Sequence, residues 1–123
     1  MEATELRIGN YISSETIGQS GKIKGVPVLK ILPEDIETIF SFPENYNPIS
    51  LTEEWLLEFG FVKIRDYPVF SLNDIRIEFN GFDSVWKVDL YSNKTVIKYV
   101  HQLQNLYFAL TGEELKLKNY ADN

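Results

Sequence analysis

Two neighbouring runs of alternating apolar and polar residues place the strongest constraint on how this chain folds. Residues 75–79 (IRIEF) and 86–90 (WKVDL) both carry an apolar side chain at every second position. Successive side chains of a β-strand point to opposite faces of a sheet, so each run predicts a strand with one buried face. Asn80 and Gly81 follow the first run directly and are typical of a hairpin turn. The two runs therefore predict an antiparallel pair.

Further strands are predicted on both sides of this pair. Residues 61–65 and 69–72 flank a turn that contains Pro68, and residues 95–98 follow a polar turn at 92–94. Strands that follow one another along the chain through short turns pair with their sequence neighbours in an antiparallel meander. The second half of the chain is therefore predicted to be a β-meander.

The N-terminal third predicts a smaller group of strands. These are three short segments, at residues 7–14, 22–24 and 28–31. The first segment would place Ile8 and Ile12 on one face, a glycine-containing turn lies at residues 18–21, and Gly25 favours a bulge or strand break. Short strands joined by tight glycine turns resemble an SH3-like meander in shape, and this likeness implies no function.

Two helices are predicted from apolar side chains at helical spacing. The first spans about ten residues, with a capping box formed by Ser50 and Glu53, and ends at Gly60. The second runs through residues 99–111 and ends at Gly112, and a last short strand is expected at residues 113–118. The predicted fold class is α+β, with antiparallel, SH3-like N-terminal strands plus a β-meander, packed by one short and one longer C-terminal α-helix. The 123 residues are too few for two full cores, so a single domain over residues 1–123 is predicted.

Acidic side chains are concentrated in the first half of the chain. Residues 1–61 hold 10 acids and 4 bases, whereas residues 62–123 hold 8 of each, and no base occurs between Lys30 and Lys63. Such a surface repels a phosphate backbone, which disfavours nucleic acid as a partner. The plainer interpretation is a solvated face, and the other is an acidic patch that recruits a basic partner or imitates nucleic acid, although a mimic would need a higher charge density. The candidate acidic recognition patch consists of Glu34, Asp35, Glu37 and Glu44. Pro33 favours a short helical turn here, and Pro43 and Pro48 would bound a surface loop.

The C-terminal helix lacks charge along its whole length. Residues 99–112 contain no Lys, Arg, Asp or Glu, which predicts that the helix is covered on more than one side. Either another part of the same chain covers it, or a partner protein or a second subunit does, since interface cores are poor in charge and rich in aromatic residues. The candidate interface residues are His101, Gln104, Asn105 and Phe108.

The residue inventory argues against most catalytic and cofactor sites. The chain has no Cys and a single His, which excludes disulfides, thiolate catalysis and multi-His metal centres. Glycine-rich phosphate-binding motifs are absent from the sequence, and Glu34, Asp35 and Glu37 lack the spacing of a calcium loop. We therefore expect no catalytic residue, cofactor or metal, and we expect His101 to be a partly exposed helix residue. The alternatives are a small-ligand protein, binding a nucleotide or metabolite, and an enzyme with a carboxylate-based site.

The N-terminal sequence predicts a soluble cytoplasmic protein with no membrane association. Met1 is followed by two acids within the next four residues, where a secretory signal carries bases, and no apolar segment comes after them. A membrane-spanning helix needs about 18 consecutive apolar residues, and the sequence contains no such run.

Three blocks of the sequence resemble a known family. They are LRIGNY at residues 6–11, ISLTEEWLLEFGF at 49–61 and YVHQLQNLYFALTGEEL at 99–115. In this order they are similar to an uncharacterised family of small proteins from Bacteroidetes bacteria and their phages and integrated elements. The resemblance implies a bacterial or phage cytoplasm and a mobile-element role, such as modulation of a host system, and it implies no cofactor or catalytic residue. We therefore expect a non-enzymatic interaction or regulatory module, which binds a protein partner or forms a homo-oligomer.

Overall fold

The computed structural model describes residues 6–14, 22–23, 26–64, 68–81, 85–90 and 93–117. Within these ranges the chain forms two antiparallel sheets and three α-helices, so the predicted α+β class is confirmed. The chain divides into two compact units. The first unit is Met1–Ser50 with Tyr99–Glu114, and the second unit is Leu51–Lys98 with Leu115–Asn123. That residues 1–123 form a single domain stays a prediction.

The first unit contains a four-stranded sheet. Its strands are β1 (Tyr11–Ser14), β2 (Lys22–Ile23), β3 (Val26–Lys30) and β4 (Tyr46–Asn47). Their order across the sheet is β2-β3-β1-β4, and every pair is antiparallel. β1 therefore pairs with β3 and β4, not with its sequence neighbour β2, and the SH3-like meander is not confirmed. The predicted glycine turn at residues 18–21 and the break at Gly25 lie outside the described residues.

The first strand begins later than the sequence indicated. Ile8 lies in a turn and its side chain is 50% exposed, whereas Ile12 in β1 is fully buried. The two do not share a face because Gly9, at φ +97°, interrupts the extended backbone between them. The Gly9 N–H donates to the Ile31 carbonyl at 2.8 Å, which holds this turn against the end of β3.

The segment between Pro33 and Pro48 is more regular than predicted. The expected helical turn is present as a 3₁₀ turn over Pro33–Asp35, but it continues into the helix α1 (Ile36–Ser41). A second 3₁₀ turn, Pro43–Asn45, then leads into β4, where a surface loop was predicted. The helix and strand were missed because each is short, and both are held by tertiary packing. Ile39 of α1 and Tyr46 of β4 belong to the hydrophobic core of the first unit. The buried residues of this core are Ile12, Leu29, Ile31, Ile39 and Tyr46.

The second unit contains a five-stranded meander. Its strands are β5 (Val62–Lys63), β6 (Val69–Leu72), β7 (Ile75–Asn80), β8 (Val85–Leu90) and β9 (Asn93–Ile97). They lie in sequence order across the sheet, which confirms the predicted meander. The β7–β8 pair places Ile77 opposite Val88, and both side chains are fully buried. The alternation in the sequence therefore describes one buried face and one outer face.

The turn between β6 and β7 was not recognised in the sequence. Asn73 and Asp74 both have positive φ, at 49° and 67°, the pattern of a two-residue type I′ hairpin turn. Asn and Asp are the residues besides Gly that most readily adopt this left-handed backbone, because their short polar side chains can hydrogen-bond locally. An Asn-Asp pair between apolar strands was the available signal.

The first predicted helix is shorter than expected and has a different cap. The helix α2 spans Glu53–Glu58, and its N-cap is Thr52, whose Oγ1 accepts a hydrogen bond from the Trp55 N–H at 3.4 Å. The capping box at Ser50 is wrong because Ser50 lies in an antiparallel bridge with Tyr99, so the chain turns into the helix only afterwards. Gly60, at φ +98°, ends this segment as predicted.

The C-terminal helix begins one residue later than predicted and ends at the predicted residue. The helix α3 spans Val100–Thr111 and ends at Gly112, whose φ of +76° and N–H bond to the Phe108 carbonyl form a left-handed cap. The last strand predicted at residues 113–118 is wrong for residues 113–117, which are irregular, and Lys118 lies outside the described residues. Leu115 and Leu117 are nevertheless buried, so the alternation there reports burial without strand pairing.

Candidate functional site

Gln104 is a structural residue of the first unit. Its side chain is 0% exposed, its Oε1 accepts from the Tyr11 N–H at 2.8 Å, and its Nε2 donates to the Gly9 carbonyl at 3.0 Å. The amide therefore satisfies two backbone groups at the start of β1, one with each end. Gln104 is covered by its own chain and is not accessible to a partner, which corrects its place in the predicted interface.

A cluster of polar side chains fixes the segment before β1 to α3. Asn105 Oδ1 accepts from Arg7 Nε at 2.8 Å and from Asn10 Nδ2 at 2.9 Å. Arg7 Nη1 and Nη2 donate to the two carboxylate oxygens of Glu114 at 2.6 and 3.1 Å. We call these four residues, Arg7, Asn10, Asn105 and Glu114, the Arg7 clamp. Asn105 therefore belongs to an intramolecular network.

Phe108 lies beside the Arg7 clamp. The Arg7 guanidinium carbon lies 4.5 Å from the centre of the Phe108 ring, a cation–π contact. The ring is still 40% exposed, so Phe108 is the member of the predicted interface face that a partner could contact. The interface prediction for Phe108 stays a prediction.

His101 is buried, which corrects the expectation of a partly exposed residue. It is 1% exposed, and its ring stacks on the Tyr99 ring with 5.9 Å between the centroids and 7° between the planes. His101 is the second residue of α3 and follows the buried Val100. Among the described residues, no group of three or more His, Asp or Glu is placed to hold a metal ion.

We expect Arg7→Lys to lower the free energy of unfolding by about 1 kcal/mol at low salt, because a lysine supplies a single point charge in place of the bidentate fork. The pair is about one-third exposed, with 31% and 34% for the two side chains, so high salt should reduce the loss. Urea unfolding in low and high salt measures both effects. Lys63→Gln is the control, since Lys63 meets Glu53 at 3.6 Å on a more exposed surface. An Arg7→Lys loss no larger than that of the control would contradict this role of the clamp.

Within the predicted acidic patch, Asp35 has a structural task. Its Oδ2 accepts from the Leu32 N–H at 2.9 Å, which caps the 3₁₀ turn before α1. Burial raises the pKa of the Tyr46 phenol, and the Asp35 charge raises it further. The folded state therefore favours the neutral phenol, and this contribution to stability is present below about pH 10 and lost as the pH rises through the higher pKa.

The other three acids of the patch are exposed to solvent. Glu34, Glu37 and Glu44 lie on the surface, and none makes an ion pair or side-chain hydrogen bond within the ranges that the structure describes. Phe40 and Phe42 lie among them and are 53% and 52% exposed. We call Glu34, Glu37, Phe40, Phe42 and Glu44 the aromatic–acidic segment.

Phe40 and Phe42 were missed by the sequence analysis, which assigned no helix at these positions. The available signal was the spacing of Ile36 and Ile39, since residues three apart share one face of a helix. Ile39 is buried and Ile36 is packed against the core, so the neighbouring phenylalanine at position 40 is left largely outside.

The second unit differs in how its surface charges are arranged. Glu53 pairs with Lys63, and Glu78 and Asp89 both pair with Lys94. The hydrogen bond with Glu78 raises the pKa of Lys94, and the charges of Glu78 and Asp89 raise it further. These carboxylates are therefore compensated locally, unlike those of the aromatic–acidic segment.

Comparisons of this chain with protein-family models, with curated proteins and with solved structures give no match. In the part of the chain that the structure describes, no helix has the length and apolar content needed to cross a bilayer. The chemistry of the aromatic–acidic segment is therefore the basis for a functional proposal.

Proposed function

We propose that this protein is a non-enzymatic interaction module that binds a partner protein through the aromatic–acidic segment. The observation that carries the proposal is the exposure of Phe40 and Phe42, each more than half accessible and only two positions apart. Complete burial of one such side chain contributes about 1.5–3 kcal/mol, so a partner that covers both gains substantial binding energy. Grouped exposed aromatic side chains rimmed by polar groups are typical of protein-binding surfaces.

The aromatic–acidic segment is a better candidate than the uncharged helix α3. Gln104 and His101 are buried, and Asn105 accepts hydrogen bonds from Arg7 and Asn10. Phe108 is the exposed member of that face, and the Arg7 guanidinium covers part of its ring. A partner at α3 would have to displace groups that already satisfy one another, whereas Phe40 and Phe42 have open surface.

The proposed setting is the cytoplasm of a bacterium, with a role linked to a phage or mobile element. The resemblance of residues 6–11, 49–61 and 99–115 to small Bacteroidetes and phage proteins supports this setting. The net charge of −6 supports a protein rather than a nucleic acid as the partner. A small-ligand site and a carboxylate-based enzyme remain the alternative predictions.

A selection from a random peptide display library tests the proposal whatever the identity of the natural partner. The affinity of each peptide that binds the full chain is then measured for the Phe40→Ser/Phe42→Ser variant. We expect their affinity to fall at least about tenfold, because about 1.4 kcal/mol of apolar contact is lost. Circular dichroism should show that the variant stays folded, since both rings are largely outside the core.

The matched control is Leu57→Ser/Val62→Ser, which removes two exposed apolar side chains from the second unit. It should leave the affinity of the selected peptides unchanged. If the library yields no binding peptide, or if both double variants bind the peptides equally well, the proposal is wrong.

A further inference from the structure

We infer that the partner presents an arginine-containing amphipathic segment to the aromatic–acidic segment, in which guanidinium groups alternate with apolar side chains. This inference rests on the proposed function and adds the chemistry of the partner. Three observations carry it: the uncompensated charge of the segment, the spacing of its aromatic and acidic residues, and an equivalent arrangement elsewhere in the same unit.

The charge of the segment selects a cationic partner. Glu34, Glu37 and Glu44 lie in a stretch that holds seven acids and no base between Lys30 and Lys63. None of the three is ion-paired in the described part of the chain. A cationic segment would find three uncompensated carboxylates here, whereas an anionic one would meet like charges around the two rings.

The spacing places a carboxylate beside the Phe40 ring. Glu37 and Phe40 are three positions apart on α1, and side chains at this separation are neighbours on a helix surface. Phe42 and Glu44 are two positions apart at the end of the segment. A guanidinium can stack on a phenyl ring while its N–H groups reach a carboxylate, so the Glu37–Phe40 pair matches an arginine.

The Arg7 clamp and the neighbouring Phe108 together already contain this combination of groups. The Arg7 guanidinium lies 4.5 Å from the Phe108 ring centre, while its two terminal nitrogens donate to Glu114. One arginine thus uses a phenylalanine face and a carboxylate at the same time within this fold. The aromatic–acidic segment offers the same two groups on an open surface, with no arginine of its own chain between Arg7 and Arg65 in the sequence.

A second copy of this chain is a poorer occupant than a basic partner. Self-association through the segment would bring two sets of uncompensated carboxylates together, at a cost that rises as the salt concentration falls. A partner of opposite charge therefore fits the aromatic–acidic segment better.

The test uses four synthetic peptides of one length and pattern, in which leucine alternates with arginine, lysine, glutamine or glutamate. Fluorescence anisotropy with the full chain gives their affinities at ionic strengths of about 0.01 and 0.15 M. We expect the arginine peptide to bind most tightly, the lysine peptide less tightly and the glutamate peptide not at all, with weaker binding at the higher salt.

Two triple variants then separate recognition by the carboxylates of the segment from electrostatic attraction to the net charge of the protein. Glu34→Gln/Glu37→Gln/Glu44→Gln should lower the affinity for the arginine peptide about tenfold, since each exposed charge contributes a fraction of that change. Glu54→Gln/Asp74→Asn/Glu113→Gln removes the same charge from other exposed positions and should change affinity little. Equal weakening by the two triple variants overturns the inference, and so does equal binding of the arginine and lysine peptides.

The outcome also distinguishes this inference from the proposed function. If Phe40→Ser/Phe42→Ser abolishes binding of the library peptides but Glu34→Gln/Glu37→Gln/Glu44→Gln does not, the arginine inference fails and the interaction module stands. If neither variant affects binding, both fail. Sedimentation showing a dimer that Phe40→Ser/Phe42→Ser converts to a monomer would replace the basic partner with a second copy of the chain.

Discussion

Replacing Gln104 with alanine lowers the free energy of unfolding of the first unit by about 3 kcal/mol, because it removes the hydrogen bonds of one buried and one part-buried backbone group and leaves a cavity. These are the Tyr11 N–H and the Gly9 carbonyl, which Gln104 satisfies at 2.8 and 3.0 Å. A buried unpaired group such as the Tyr11 N–H costs about 1–3 kcal/mol, the part-buried Gly9 carbonyl costs less, and the truncation also leaves a cavity beside β1.

Circular dichroism at 222 nm during urea unfolding measures this loss, since α3 is the longest helix in the described part of the chain. Gln102→Ala is the matched control on the same helix. Its Oε1 accepts from the Tyr99 N–H at 3.1 Å in a half-buried position, so we expect a loss of about 1 kcal/mol or less. If Gln104→Ala costs no more than Gln102→Ala, the amide does not hold β1 to α3 as described.

Replacing Trp86 with alanine lowers the free energy of unfolding of the second unit by about 4 kcal/mol. Trp86 is buried in β8, and its ring centre lies 5.7 Å from that of Phe70 and 5.1 Å from that of Phe79. Its Nε1 also donates to the Leu51 carbonyl at 3.0 Å. Truncation therefore removes apolar contacts, aromatic pairing and a buried hydrogen bond together.

Trp86→Phe separates these contributions. Phenylalanine keeps the aromatic pairing but cannot donate to Leu51, so we expect about half of the loss. Trp55 fluorescence follows urea unfolding of both variants, because Trp55 lies in the same unit. The exposed Val96→Ala should change stability by less than about 0.5 kcal/mol. A Trp86→Ala loss as small as that of Val96→Ala would show that the ring is not a core residue.

The predicted effects also separate stability from binding. Gln104 and Trp86 act through buried contacts, so their variants should change the free energy of unfolding rather than the affinity for a partner. Phe40 and Phe42 are more than half exposed, and Glu34, Glu37 and Glu44 are exposed, so their variants should change binding with little effect on unfolding. This division identifies the aromatic–acidic segment as a surface whose residues contribute little to the core.

Sequence patterns were sufficient where the controlling interactions are local. The alternation at Ile75 and Ile77 follows from the two-residue period of a strand, and sequence-neighbouring strands pair through short turns. Gly112 ends α3 because a left-handed backbone favours glycine within a single turn of helix. These features depend on residues close together in the chain, and the meander and the last helix were predicted for that reason.

Elements that depend on distant contacts were not predicted. β1 pairs with β3 and with β4, which lies more than thirty residues further along the chain. Ser50 fits the pattern of a helix cap, yet its bridge with Tyr99 prevents this role. The short helix α1 carries too weak a local signal to be recognised before its packing is known.

The candidate site shows the same division between sequence and tertiary structure. The sequence alone shows that acidic residues accumulate between Lys30 and Lys63 without a compensating base, because the charge of a segment follows from the residues in it. The folded chain was needed to show that Gln104 lies inside and Phe40 outside, since burial depends on which distant segments pack against each residue. Composition therefore fixes how much charge a surface carries, and packing decides which side chains share that surface.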